Sequence, residues 1–100
     1  MNKMQILHLT LKKEWFDKIL SGSKTVEYRE VKHYWTKRLF QEDGRSKKYD
    51  LIEFRNGYSK NSKKVRVLFL GVKKDRMKES IGDFNKGEEV YNILLGDIIK

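Results

Sequence analysis

The chain has 100 residues, of which 38% are hydrophobic and 37% charged, with a formal net charge of +9. That length predicts one domain over residues 1–100 around one core. Cysteine is absent, which excludes a disulfide scaffold, a thiolate nucleophile and a cysteine-ligated zinc or iron–sulfur centre. No apolar run approaches the roughly 20 residues of a membrane span. The first residues carry no apolar leader followed by a small-residue cleavage site. A cytoplasmic protein without a membrane partner is therefore the expectation. The charge is uneven, at +5 over residues 1–40, +3 over 41–64 and +1 over 65–100, a distribution that suits a polyanionic partner.

Residues 4–11 place Leu7, Leu9 and Leu11 on one face of a predicted strand, with Gln5, Ile6, His8 and Thr10 completing an imperfect alternation. The period then changes: Trp15, Phe16, Ile19 and Leu20 form one face of a helix over 13–20, and Gly22 fits its stop. Residues 25–31 alternate as a strand, with Val26 and Tyr28 expected to face the core. Helical spacing returns through Tyr34, Trp35 and Leu39 over 33–40, and residues 41–48 are a polar loop. A third strand is predicted over 50–56 and ends at Gly57. Residues 64–73 are apolar on both faces, which suggests a central or barrel strand. Residues 75–87 are either irregular or a short helix, with Met77, Ile81 and Phe84 at rough helical spacing, and a closing strand follows over 89–95. The order β-α-β-α-β-β-(α)-β is not a doubly wound repeat. It predicts an α+β fold, a small mixed or closed sheet with helices to one side.

Two segments share a pattern, Val26-Glu27-Tyr28-Arg29 and Ile52-Glu53-Phe54-Arg55. With the apolar residues turned inward, each strand shows a Glu and an Arg about 6–7 Å apart on its other face. Neighbouring strands would bring Glu27, Arg29, Glu53 and Arg55 together, either as an ion-pair ladder or as a site for an anion or a nucleobase. Arginine offers a planar donor fork and a flat stacking face, and a carboxylate accepts from an amine or acts as a base. Lys24 adds a cation just before the first strand.

The run Leu20-Ser21-Gly22-Ser23-Lys24-Thr25-Val26-Glu27-Tyr28-Arg29 resembles the G-x-K-T-x-E-x-R signature of ASCH domains, members of the PUA-like superfamily. Ile52-Glu53-Phe54-Arg55-Asn56-Gly57-Tyr58 is similar to a second block of small phage and bacterial ASCH proteins. The resemblance spans nearly the whole chain. It implies a PUA-like small mixed β-barrel with flanking helices, a cleft at the barrel edge, and RNA or modified nucleosides as ligands. Some small members are amidohydrolases acting on acetylcytidine, with a catalytic lysine at the position of Lys24. Those carry Thr where this chain has Glu27, and use a further Glu late in the chain, for which Glu79, Glu88 and Glu89 are candidates. Lys13 also departs from the Pro common at that helix start, which concerns capping.

His8 and His33 are the only histidines, and no carboxylates at ligand spacing surround them, so neither a metal nor a cofactor is expected. No nucleophile elbow or P-loop is present. Ser21 and Ser23 suit turn geometry. Trp15 and Phe16 are expected in the core, and Trp35 is a candidate to stack a base. Tyr58, among Lys60, Lys63 and Lys64, suits a nucleic-acid strand. Lys37 and Arg38 would widen the same electrostatic footprint.

Three functions follow. The leading one is a nucleic-acid- or nucleotide-binding module, probing RNA with a basic cleft made by Lys24, Glu27, Arg29, Glu53, Arg55, Asn56, Tyr58 and Trp35. The second is an enzyme on the same cleft, a hydrolase of a modified nucleoside or a weak ribonuclease, with Lys24 and Glu27 catalytic. The third is a protein-interaction domain with a basic face.

Overall fold

In the computed structural model, which describes residues 3–99, Leu7, Leu9 and Leu11 do share the buried face of β1 (Ile6–Leu11). The other elements are α1 (Lys13–Leu20), β2 (Val26–Glu30), α2 (His33–Leu39), β3 (Leu51–Asn56), β4 (Lys64–Arg76) and β5 (Glu89–Ile99). The five strands form one mixed sheet in the order β1-β3-β4-β5-β2. Only β1 and β3 pair in parallel, Ile6 opposite Leu51 through Leu11 opposite Asn56. The sheet curls into a half-barrel, so that its two edge strands approach: Arg29 Nη2 of β2 donates to the Thr10 carbonyl of β1 at 3.4 Å. The fold is thus a small α+β half-barrel, and among the described residues no helix is long and apolar enough to cross a membrane.

Phe16 and Ile19 of α1 and Leu39 of α2 are buried against the inner face of the sheet, with Ile52 and Phe54 of β3 and Ile93 of β5. The serines after α1 act as the turn chemistry requires. Both Ser21 Oγ and Ser23 Oγ donate to the Lys18 carbonyl, at 3.0 and 3.2 Å, which satisfies an orphan acceptor at the helix end. α2 is tied to the sheet twice. Thr36 Oγ1 lies 2.5 Å from the Tyr91 hydroxyl, and Arg38 Nη2 donates to the His8 carbonyl at 2.8 Å.

Strand β2 reverses the expected facing. Glu27 lies opposite Ile93 and Arg29 opposite Tyr91, both buried residues of β5. Directly opposed residues share a face, so Glu27 and Arg29 point inward while Val26 and Tyr28 alternate away from them, Tyr28 still bordering the cleft at the free edge of the strand. The reason is position. β2 is the last strand of an open half-barrel, and its inner face looks into a cleft, where paired charges are tolerated. On β3, by contrast, Ile52 and Phe54 are inward as expected.

Two further differences lie in the second half. β4 runs on to Arg76 and β5 on to Ile99, through Gly96. The register between them shifts around Phe69, and such irregularities increase local bending. Of the two readings of 75–87, the irregular one holds beyond the end of β4, and no helix forms there. Met77 N donates to the Glu88 carbonyl and Gly87 N to the Met77 carbonyl, at 2.9 and 2.8 Å, which closes residues 77–88 into a strap. Met77 is buried as its anchor. Gly82 and Gly87 take positive φ, +57° and +88°, and so interrupt any helical run.

On the outer face Glu53 lies 3.0 Å from His8 Nδ1 and 3.0 Å from Arg66 Nε. Burial alone would raise its pKa, but the hydrogen bonds from Arg66 and His8 outweigh that and hold it below the ordinary carboxylate value. A carboxylate with a depressed folded pKa stabilises the fold above its unfolded pKa, and loses that contribution as pH falls through the folded one. Glu53→Gln is therefore expected to lower the melting temperature at pH 7, and to converge on the parent protein only as pH falls past the ordinary glutamate value and through the lowered folded one. Thermal melts of both proteins across acid pH check this.

Candidate functional site at the open edge of the half-barrel

The turn after α1 delivers Lys24 to the start of β2. Its backbone N donates to the Lys18 carbonyl at 3.1 Å, and its side chain is only 10% exposed. The ammonium donates to the Val26 carbonyl at 2.7 Å and lies 3.3 Å from Glu27 Oε1. It also sits 5.4 Å from the Trp15 ring and 5.1 Å from the Tyr28 ring, within the range of a cation–π contact.

Glu27 is 5% exposed. Its second oxygen, Oε2, accepts from Arg29 Nη2 at 2.5 Å. One buried carboxylate thus serves two cations, one on each oxygen. The Arg29 guanidinium lies 4.7 Å from the Trp35 ring, and Arg38 approaches the same ring at 5.2 Å. These two arginines donate to the Thr10 and His8 carbonyls on the outer edge of β1.

An open cleft of about 680 Å³ lies over this arrangement. Its floor is Lys24, Glu27 and Arg29; Trp15, Tyr28 and Trp35 form walls; Gly57 and Tyr58 stand at one side and Ile81–Phe84 of the strap at the other. Gly82 is pressed against Trp15, where an added Cβ would come within 2.9 Å of the ring. Lys12, Glu30, Asp83 and Glu88 complete the charged lining. Three cations therefore face four carboxylates, and the cleft is not basic overall. The net positive charge is confined to its floor, while the strap side is acidic.

Of the residues singled out in the sequence, Lys24, Glu27, Arg29, Trp35 and Tyr58 line this cleft; Glu53, Arg55 and Asn56 do not. The two-strand surface does not form, because β4 and β5 separate β3 from β2 and the Glu–Arg pairs occupy opposite faces of the sheet. Glu53 belongs to the His8–Arg66 cluster, Arg55 Nη2 donates to the Ser59 carbonyl, and Asn56 N donates to the Lys63 carbonyl at 2.9 Å. Trp35 lines the cleft and also lies against Arg29 and Arg38.

Trp15 packs against the core as its helix face predicts and also walls the cleft, whereas Tyr28, expected in the core, is a cleft wall. Sequence reasoning missed the strap. The glycines at 82 and 87, set among Ile81 and Phe84, were the available signal for a bent apolar segment. Glu88, alone among the three late glutamates considered, lines the cleft. Among the described residues, no group of three or more His, Asp or Glu side chains is arranged to hold a metal ion.

Breaking a buried ion pair by removing one partner costs about 3–5 kcal/mol, because the remaining charge is left uncompensated. Glu27→Gln is expected to lose stability in that range by denaturant unfolding. In a double-mutant cycle with Lys24→Met, the combined loss should fall short of the two single losses together by about 1 kcal/mol or more.

Compared with known proteins, the chain matches no family model, no curated protein and no solved structure.

Proposed function

We propose that the open-edge cleft binds a nucleotide unit of RNA or a related nucleic acid, and that the chain is an ASCH-type module of the PUA-like class. The observation that carries this reading is the floor of the cleft. The polar residues of the G-x-K-T-x-E-x-R run, Lys24, Glu27 and Arg29, converge there with one unit of net positive charge beneath aromatic walls. A cleft of that size lies within the usual range for small-ligand sites, about 300–1,000 Å³. Aromatic faces accept any base by stacking, and a covered cation beside them favours an anionic or carbonyl oxygen. The half-barrel with its helices and edge cleft is in keeping with the same class.

Tyr58 gives the cleanest test. It lines the cleft yet is 88% exposed, so its removal leaves the fold intact. Base–aromatic stacking is worth about 1–3 kcal/mol per base. Tyr58→Ala is expected to bind labelled single-stranded RNA roughly 5- to 150-fold more weakly at an unchanged melting temperature. RNA binding equal to that of the parent protein, or none by the parent protein, overturns the reading.

One observation favours hydrolysis as a second reading. Lys24 and Glu88 line the same cleft, a covered cation and a carboxylate able to polarise an acyl group and activate water. Release of acetate from acetylated nucleosides, abolished in Lys24→Met, is the expected result; no turnover by the parent protein removes it.

A further inference from the structure

We infer that the β3–β4 hairpin, and not the cleft, carries the phosphate backbone of the bound nucleic acid, and that the ligand is a single strand several nucleotides long. This rests on the reading of the cleft as a nucleotide site and assigns a second, adjoining surface to the same ligand.

The inference starts from where charge is left unbalanced. No Asp or Glu occurs from residue 54 to residue 74, a stretch that contains seven Lys and Arg. Within it, Lys60, Lys63 and Lys64 are exposed. Among the described residues, none of these three forms an ion pair, whereas Arg66 pairs with Glu53, Lys73 with Asp75 and Lys74 with Glu89. Within this acid-free stretch, the lysines without an ion pair thus lie at one end of the sheet, on the hairpin that joins β3 to β4.

The loop that presents them is held in shape from within. The Ser59 carbonyl accepts from Ser62 N at 3.1 Å, from Ser62 Oγ at 2.6 Å and from Arg55 Nη2. Gly57 N donates to the Leu11 carbonyl at 2.9 Å, which fixes the hairpin to the end of β1 beside the cleft. A platform ordered in advance loses less freedom on binding.

Tyr58 joins the two surfaces, since Gly57 and Tyr58 line the cleft while Lys60, Lys63 and Lys64 follow on the same hairpin. The exposed ring between an aromatic-walled cleft and a lysine cluster suits a nucleic-acid strand, in which bases and phosphates alternate along one chain. The carboxylates on the strap side, Asp83 and Glu88, repel phosphate from the cleft and leave the hairpin as its track.

The salt dependence separates the two surfaces. For single strands the slope of log K against log salt is about −0.7 for each phosphate neutralised. The probe is a labelled mixed-sequence RNA of about ten nucleotides, titrated from about 50 to 300 mM KCl. The variant Lys60→Gln/Lys63→Gln/Lys64→Gln is expected to flatten the slope by about 2. It should leave the binding of the uncharged ribonucleosides, which carry a base but no phosphate, unchanged. Lys73→Gln/Lys74→Gln, which removes paired lysines, is expected to keep the parental slope. Melting curves of both variants establish that they fold.

A parental slope in the triple variant, with RNA binding still weakened by Tyr58→Ala, overturns the hairpin track while the cleft reading stands. Equal flattening by the Lys73/Lys74 variant, or competition by polyglutamate as effective as by RNA, overturns it as non-specific polycation behaviour. Absence of binding by both RNA and the ribonucleosides to the parent protein removes the cleft reading, and the track with it.

Discussion

The half-barrel is closed at its open edge by arginine side chains, and the site depends on that closure. Two edge strands of a curled sheet each present a row of backbone groups without a partner strand. Here the exposed carbonyls of His8 and Thr10 are met by Arg38 from α2 and Arg29 from β2. Bringing a guanidinium to this covered position requires a counter-charge, supplied by Glu27, whose other oxygen then holds Lys24. Trp35 lies against both arginines. The carboxylate, the two cations and the indole are therefore one mechanical unit, and the cleft is the space that the unit leaves between the strands.

That dual use explains which parts of the architecture were legible in the sequence. The leucines of β1, the Phe16/Ile19 face of α1 and the inward Ile52/Phe54 of β3 follow the ordinary rule that apolar periodicity marks the core. β2 breaks the rule because a strand beside a cleft has a polar interior. Val26 and Tyr28 give the same alternating pattern whichever way the strand faces, so periodicity fixes the strand but not its phase. The long-range pairing that decides the phase, Glu27 against Ile93, is absent from any local window. The strap fails for a related reason. Met77, Ile81 and Phe84 are spaced like a helical face, but each is held by a different part of a bent segment, with Gly82 and Gly87 setting the bends.

The site itself was half legible. Lys24, Glu27 and Arg29 are close in sequence and act together. The pairing of Glu27/Arg29 with Glu53/Arg55 rested on their similar local patterns, and similarity of pattern says nothing about adjacency in a sheet whose order is β1-β3-β4-β5-β2. The net charge of +9 was likewise a poor guide to the cleft, because formal charge counts ions without regard to their partners. The balance on the lining and the excess on the hairpin become visible only when each cation is assigned its carboxylate.

The strand order also bears on when the site comes into being. β2, which carries Glu27 and Arg29, hydrogen-bonds to no strand but β5, and Val26 pairs with Leu94. β1 must likewise wait for β3, since Ile6 pairs with Leu51. Contacts so distant along the chain form slowly, because the entropy of closing the intervening loop precedes any gain from pairing. As the chain leaves the ribosome, Lys24 to Arg29 emerge long before β5 does, and spend that interval as a solvated, charged segment. The cleft is thus among the last features to form, and its assembly reports that the most distant strand has docked.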